Sequence, residues 1–158
     1  MASENIGKCT PLIAEKKMKI AFIESATAGW LTSEFSLVPE SGKILLGGLV
    51  CYDASVKQDL FDIPKEVIEK YTAESAEITQ MLAERLTKFF KCDIAVAITG
   101  LTAPGGSETP EKPVGTMFIH ITIKGKNHPY RENFTGPPED IISQTIEKVG
   151  QHLCGLLS

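Results

Sequence analysis

The sequence predicts a single-domain α/β protein, a three-layer α/β/α sandwich built on a mixed sheet. Three observations carry that prediction. Lys19–Ile23 and Asp93–Ile98 are short apolar runs rich in β-branched residues, the pattern of strands buried on both faces. A strongly periodic helical segment, Glu74–Lys91, separates strand-like runs, and such alternation favours helices layered on a sheet. Val114–Ile123 alternates and is followed across Lys124-Gly125-Lys126-Asn127 by residues 128–134, an antiparallel hairpin that makes the sheet mixed. The 158 residues suit one domain, so residues 1–158 are assigned to it, with 1–17 as an N-terminal extension or helix.

In chain order, Thr10-Pro11 reads as a cap followed by proline at the first helical position, which predicts a short helix opening there. Lys19–Ile23 is the first strand. It runs into Glu24-Ser25-Ala26-Thr27-Ala28-Gly29, after which Trp30, Leu31 and Phe35 predict a helix. Lys43–Tyr52 is a second strand with glycines at 47 and 48, and Asp53 caps a helix reaching Leu60. In Glu74–Lys91, the residues Ile78, Met81, Leu82, Leu86 and Phe89 share one face. After Thr135-Gly136-Pro137-Pro138 a last helix turns Ile142, Ile146, Val149 and Leu153 inward, with Glu139 and Asp140 in its first turn.

Composition excludes several classes. Hydrophobic residues at 42% and charged residues at 23%, with 13 glycines and 9 prolines, rule out a disordered, collagen-like or coiled-coil chain. A net charge of -4, with lysines scattered and only Arg85 and Arg131 as arginines, argues against a nucleic-acid surface. No apolar run approaches the ~20 residues of a membrane helix, and Met1–Thr10, with Glu4 and Lys8, predicts neither signal peptide nor anchor. Cys9, Cys51, Cys92 and Cys154 show no paired spacing, so no metal site is expected and the cytoplasm is the expected compartment.

Three segments can carry chemistry. Ser25 lies where a strand runs into a helix, a place where open α/β sheets bind ligands and where backbone N–H groups stabilise anions. Ser25 or Thr27 acting only as a helix cap is the alternative. Thr99–Gly115 is a Gly/Pro-rich stretch beyond the ~12–15 residues of ordinary connections, and Gly105-Gly106 permits convergent N–H groups. It contains no Walker loop and no Rossmann fingerprint; a plain surface connection is the alternative. Tyr52 and Lys57 place a phenol and an amine five residues apart, a pair able to move a proton from a serine if the lysine is desolvated, or a strand-end tyrosine and a solvated lysine otherwise. His120, His128 and His152 show no ligand spacing, so a Ser-His-Asp arrangement has little support.

Together the segments resemble the CinA C-terminal domain family, the nicotinamide-nucleotide amidases. The family pattern of Glu-Ser-x-Thr-Gly-Gly, Tyr-Ser-Asn-x-x-Lys, Thr-Gly-Ile-Ala-Gly-Pro-Gly-Gly and Lys-Pro-Val-Gly-Thr finds its counterparts here. They are Glu24–Gly29, Tyr52-Asp53-Ala54-Ser55-Val56-Lys57, Thr99-Gly100-Leu101-Thr102-Ala103-Pro104-Gly105-Gly106 and Lys112-Pro113-Val114-Gly115-Thr116. The resemblance implies deamidation of nicotinamide mononucleotide to nicotinate mononucleotide and ammonia in pyridine-nucleotide recycling. It implies Ser25 as nucleophile and Tyr52 and Lys57 as its activators and proton carriers. It also implies Thr27, Gly29, Thr99, Gly100, Gly105 and Gly106 around the substrate, and no metal or organic cofactor. A stand-alone domain, a nucleotide as small-molecule partner and a homodimer or higher homo-oligomer are implied too.

Three departures stand out. Ala28 replaces the first glycine of Gly-Gly, and Thr102-Ala103-Pro104 loses another. The two family arginines at the start of the last helix are absent from Gly136-Pro137-Pro138-Glu139-Asp140-Ile141-Ile142. Arg131 is the candidate replacement for gripping a phosphate, with Lys124 or Lys126 as weaker choices. The alternative functions are hydrolysis of another amide and non-catalytic binding of a nucleotide or a protein.

Overall fold

The computed structural model describes residues 3–158. Its strands are β1 (Ile20–Glu24), β2 (Leu45–Val50), β3 (Ile94–Gly100), β4 (Thr116–Ile123) and β5 (Lys126–Asn133). They form one sheet in the order β2-β1-β3-β4-β5. The pairs β1–β2 and β1–β3 are parallel, whereas β3–β4 and β4–β5 are antiparallel, so the sheet is mixed as expected.

Alternation along the strands divides the core in two. Ile20, Phe22, Ile94, Val96 and Ile98 face a cluster built with α1 (Glu4–Glu15), α2 (Trp30–Ser36), α3 (Ser41–Ile44) and α7 (Pro138–Leu157). Ala21, Ile23, Ala95 and Ala97 face the other cluster, built with α4 (Ala54–Asp59), α5 (Lys65–Tyr71) and α6 (Ala76–Leu86). Three alanines on this second face let Ile78, Leu82 and Leu86 of α6 lie close to the sheet. That is the α/β/α sandwich.

Several boundaries differ from the sequence reading. Helix α1 starts at Glu4, where the Ser3 side chain accepts from the Ile6 N–H, and Pro11 sits inside the helix instead of opening it. Pro11 is exposed, and its ring removes one helical hydrogen bond. Burial of Ile6, Cys9 and Ile13 outweighs that loss. They lie against α7, where a Cβ on Gly150 would come within 2.6 Å of the Asn5 backbone.

Helix α5 had no counterpart in the sequence reading, because Val67 and Ile68 are too few apolar residues to define a period. Helix α6 is shorter than Glu74–Lys91. Ser75 caps it by accepting from Ile78 N–H, and Phe89 lies beyond its end, 48% exposed and edge-on to Phe61. Strand β2 begins only at Leu45, after α3. The β4–β5 turn is the two residues Lys124-Gly125, both at positive φ as a type I′ turn requires. In α7, Ile141 is the fully buried residue of the first turns, with Ile142 half-buried beside the core.

The long loop is closed at its neck. Leu101 N–H donates to Thr116 O (3.0 Å), Gly115 N–H donates to Leu101 O (2.7 Å), and Phe134 N–H donates to Gly115 O (2.9 Å). Gly115 has φ +97°, and a Cβ there would sit 1.9 Å from the Phe134 carbonyl oxygen. Backbone cannot yield as a flexible side chain does. Gly115→Ala is therefore expected to cost at least about 3 kcal/mol, on the order of 10 °C in Tm for a chain of this size. Thermal unfolding checks this; a shift of one or two degrees would show that the neck tolerates a side chain.

Candidate active site

The site begins where β1 ends. Glu24 is fully buried, and its carboxylate accepts from Leu31 N–H (2.8 Å), Thr32 N–H (2.9 Å), Thr27 Oγ1 (2.6 Å) and Thr32 Oγ1 (2.6 Å). Gly29, at the N-cap of α2, provides no side-chain cap, so Glu24 caps that helix from the preceding strand. The intervening turn passes through Ala28 (φ 49°) and Gly29 (φ 95°), both left-handed. Ala28 thus takes a backbone conformation that a glycine would take more easily. Ser25 sits at the head of this turn, tied to β3 by its N–H donating to Ile98 O (3.0 Å).

Lys57 meets it from α4. Asp53 starts that helix by accepting from Ser55 N–H (2.9 Å), which directs Lys57, one turn on, inward. The Lys57 side chain is 1% exposed, and Ser25 is 7% exposed. Lys57 Nζ lies 3.1 Å from Ser25 Oγ and donates to Cys51 O at 2.9 Å. Among the described residues no carboxylate forms an ion pair with it. A buried amine hydrogen-bonded to a buried hydroxyl is an arrangement suited to proton transfer. The nearby Cys51 thiol does not compete as a nucleophile, because burial pushes its pKa up, away from the reactive thiolate.

Ser25 opens into a cleft of about 300 Å³ between the β1 turn, the Glu74 segment and the long loop. Gly100, Gly105 and Gly106 line it, as does Tyr52. Tyr52 is 66% exposed and makes no hydrogen bond to Ser25 or Lys57, so the predicted trio is brought together as a bonded pair with an aromatic residue at its rim. Thr27 points away, donating to Glu24, and Gly29 lies against Val50. Thr99 is fully buried in the β3–α6 seam, 2.8 Å from Thr79 Oγ1.

Arg131 is also elsewhere. Its guanidinium lies over the Phe118 ring, 5.5 Å from the centroid, and donates to Glu111 O, bracing the long loop from β5. Lys124 and Lys126 sit at the opposite end of the sheet, where β4 pairs with the start of β3. Six strand steps, about 20 Å, separate that end from Gly100.

The structure adds two residues that the sequence reading assigned no role at the site, Lys112 being known only as the first residue of a motif. Glu74 lines the cleft and accepts from Ser107 Oγ at 2.5 Å. Lys112 Nζ donates to Thr72 Oγ1 (2.6 Å), Glu74 O (2.8 Å) and Ser107 Oγ (3.0 Å), stitching the loop to the segment before α6. Burial lowers the Lys112 pKa from its ordinary value, with Glu74 opposing that shift. The Glu24-Ser25 pairing was visible in the sequence, but no local pattern announces Glu74.

Residues 4–157 match the family described as the CinA C-terminal domain. A CinA-like protein of Thermotoga maritima is 38% identical over 148 residues, 91% of this chain and 36% of that protein. One of Thermotoga neapolitana is 34% identical over 146 residues, 90% of this chain and 35% of that protein. The chain thus spans about a third of the length of these curated relatives. Among solved structures, a competence-damaged protein (CinA) superfamily protein from Klebsiella pneumoniae superposes with a TM-score of 0.91 at 22% identity, over 98% of this chain and 96% of that one. A second, from Escherichia coli, superposes with a TM-score of 0.89 at 24% identity, over 99% and 93%. Sequence and fold agree, and this chain belongs to the CinA C-terminal domain family.

Proposed function

We propose that the chain is an amidohydrolase that converts the carboxamide of nicotinamide mononucleotide to the carboxylate and ammonia. The observation that carries this reading is the 3.1 Å contact between Lys57 Nζ and Ser25 Oγ, both buried, at the wall of an open cleft. The amine takes the hydroxyl proton as Ser25 Oγ attacks the carboxamide carbon. The developing oxyanion is stabilised by the N–H of Ala26, which among the described residues has no other acceptor and borders the cleft. Collapse of the tetrahedral adduct breaks the C–N bond, and Lys57 delivers the proton to the departing ammonia. Water then attacks the ester, with Lys57 accepting its proton and returning one to Ser25. Tyr52 contributes an aromatic wall for the pyridine ring. The homo-oligomer implied by the resemblance belongs to the same proposal, and light scattering on the purified protein tests it.

The test of the reaction is direct. Purified protein incubated with nicotinamide mononucleotide is expected to release ammonia and nicotinate mononucleotide in equal amounts. A thermal shift with the nucleotide but no ammonia would replace this reading with a non-catalytic binder. Silence in both would remove this substrate.

A further inference from the structure

The long loop contains an anion site that the protein fills itself. Gly105 has φ +101°, which turns its own N–H and that of Gly106 toward one point. The Glu108 carboxylate sits there. Gly105 N–H donates to Glu108 Oε1 and Oε2, both at 3.1 Å, and Gly106 N–H donates to Oε2 at 3.2 Å. Two successive backbone donors on one carboxylate are the contacts a phosphate or substrate carboxylate would make in the same place. Gly105 and Gly106 line the cleft that holds Ser25, so the filled nest belongs to the substrate's surroundings.

Glu108 is held there from both sides. Ser107 is fastened to Glu74 and Lys112. Thr109 and Lys112 close a reciprocal pair, Thr109 N–H to Lys112 O (2.9 Å) and Lys112 N–H to Thr109 O (3.1 Å). The cation beside the loop is Lys112, whose Nζ is bonded to Ser107 Oγ, Thr72 Oγ1 and Glu74 O and makes no recorded contact with Glu108 among the described residues. An anion approaching the nest therefore meets a resident negative charge and must displace it.

We propose that Glu108 is a specificity-determining residue, a tethered carboxylate that occupies the Gly105–Gly106 anion nest and selects against ligands bearing a phosphate there. Its kinetic consequence rests on the amidase reading above; its binding consequence does not. An unphosphorylated pyridine carboxamide nucleoside leaves Glu108 seated, whereas its phosphate ester competes with it.

Glu108→Gln and Glu108→Ala, with Glu111→Gln as a charge-matched control, are compared with wild type. Inorganic phosphate, titrated by thermal shift or calorimetry, is expected to bind both Glu108 variants at least about tenfold more tightly than wild type or the Glu111 variant, the scale of a charge-assisted hydrogen bond. In ammonia assays, KM for nicotinamide mononucleotide falls by a similar factor in Glu108→Gln with kcat little changed. KM for nicotinamide riboside stays the same. Equal phosphate affinity in all four proteins overturns the proposal. So does an equal gain in Glu111→Gln, which would reduce the effect to net charge, or an unchanged KM ratio between the two amides. If no protein releases ammonia but phosphate still binds the Glu108 variants selectively, the amidase reading fails and the nest stands.

Discussion

Ser25→Ala and Lys57→Met are each expected to lower kcat for ammonia release by at least about 10³-fold, and the double variant is expected to lose no more than either single one. The reason is that the proposed reaction passes one proton between the two groups, which lie 3.1 Å apart. In that reaction, removing either the proposed nucleophile or its proposed base disables the same step, so their free-energy losses do not add. Methionine is chosen because Lys57 is fully buried and a thioether chain fills nearly the same space without the amine. It leaves the Cys51 carbonyl without its side-chain donor, which costs about 1–3 kcal/mol of stability. Substrate affinity should change far less than turnover, because Lys57 lies beneath Ser25 and is not among the residues lining the cleft. Pre-steady-state ammonia release and equilibrium titration separate the two effects. Multiplicative losses in the double variant would mean that Lys57 acts elsewhere than on Ser25.

The second large effect falls on stability. Glu24→Ala is expected to destabilise the protein by about 5 kcal/mol, a large share of the stability of an ordinary domain. Four donors converge on this carboxylate, two of them the Leu31 and Thr32 N–H groups in the first turn of α2, and all four lose their acceptor together. Glu24→Gln keeps the volume but turns an NH2 group toward those donors, and about half the loss is expected. Turnover should fall in both variants, since the same four bonds hold the turn that presents Ser25. Urea unfolding measures the loss. A cost below about 1 kcal/mol for Glu24→Ala would show that water or neighbouring side chains satisfy those donors once the carboxylate is gone.

These expectations turn on contacts of very different sequence range, and that range governs what could be read without coordinates. Strand β3, helix α6 and a hairpin connection within Lys124-Gly125-Lys126-Asn127 announce themselves through period and turn chemistry, which are local properties. Helix α5 did not, because seven residues with two apolar positions leave its conformation to what packs against it. The opening of α1 was misread for a related reason. Thr10-Pro11 satisfies a local rule for a helix start, but contact of Ile6, Cys9 and Ile13 with α7, far away in the chain, decides the matter.

The candidate site divides the same way. Ser25, Lys57 and the paired glycines were legible as residue types at strand ends and in a glycine-rich loop, and the family resemblance set them in order. Side-chain direction was not legible. Thr27 and Thr99 sit within the motifs yet face Glu24 and Thr79, because alternation along β3 and the turn geometry after β1 send them into the core. Arg131 faces Phe118 across the hairpin pair, a placement set by strand register, which no count of arginines reveals.

What the amino-acid sequence determined by itself is the layered α/β architecture, the mixed sheet and the identity of the hydroxyl and amine candidates, because hydrophobic period and turn propensity act within a few residues. Tertiary structure alone decided that Lys57 would be buried against Ser25 from 32 residues away, that Glu74 would enter the cleft from 33 residues before Ser107, and that Glu108 would turn back onto the glycine amides. Such pairings depend on how strands register and helices dock. Those are set by burial summed over the whole core, and no short stretch of chain contains that sum.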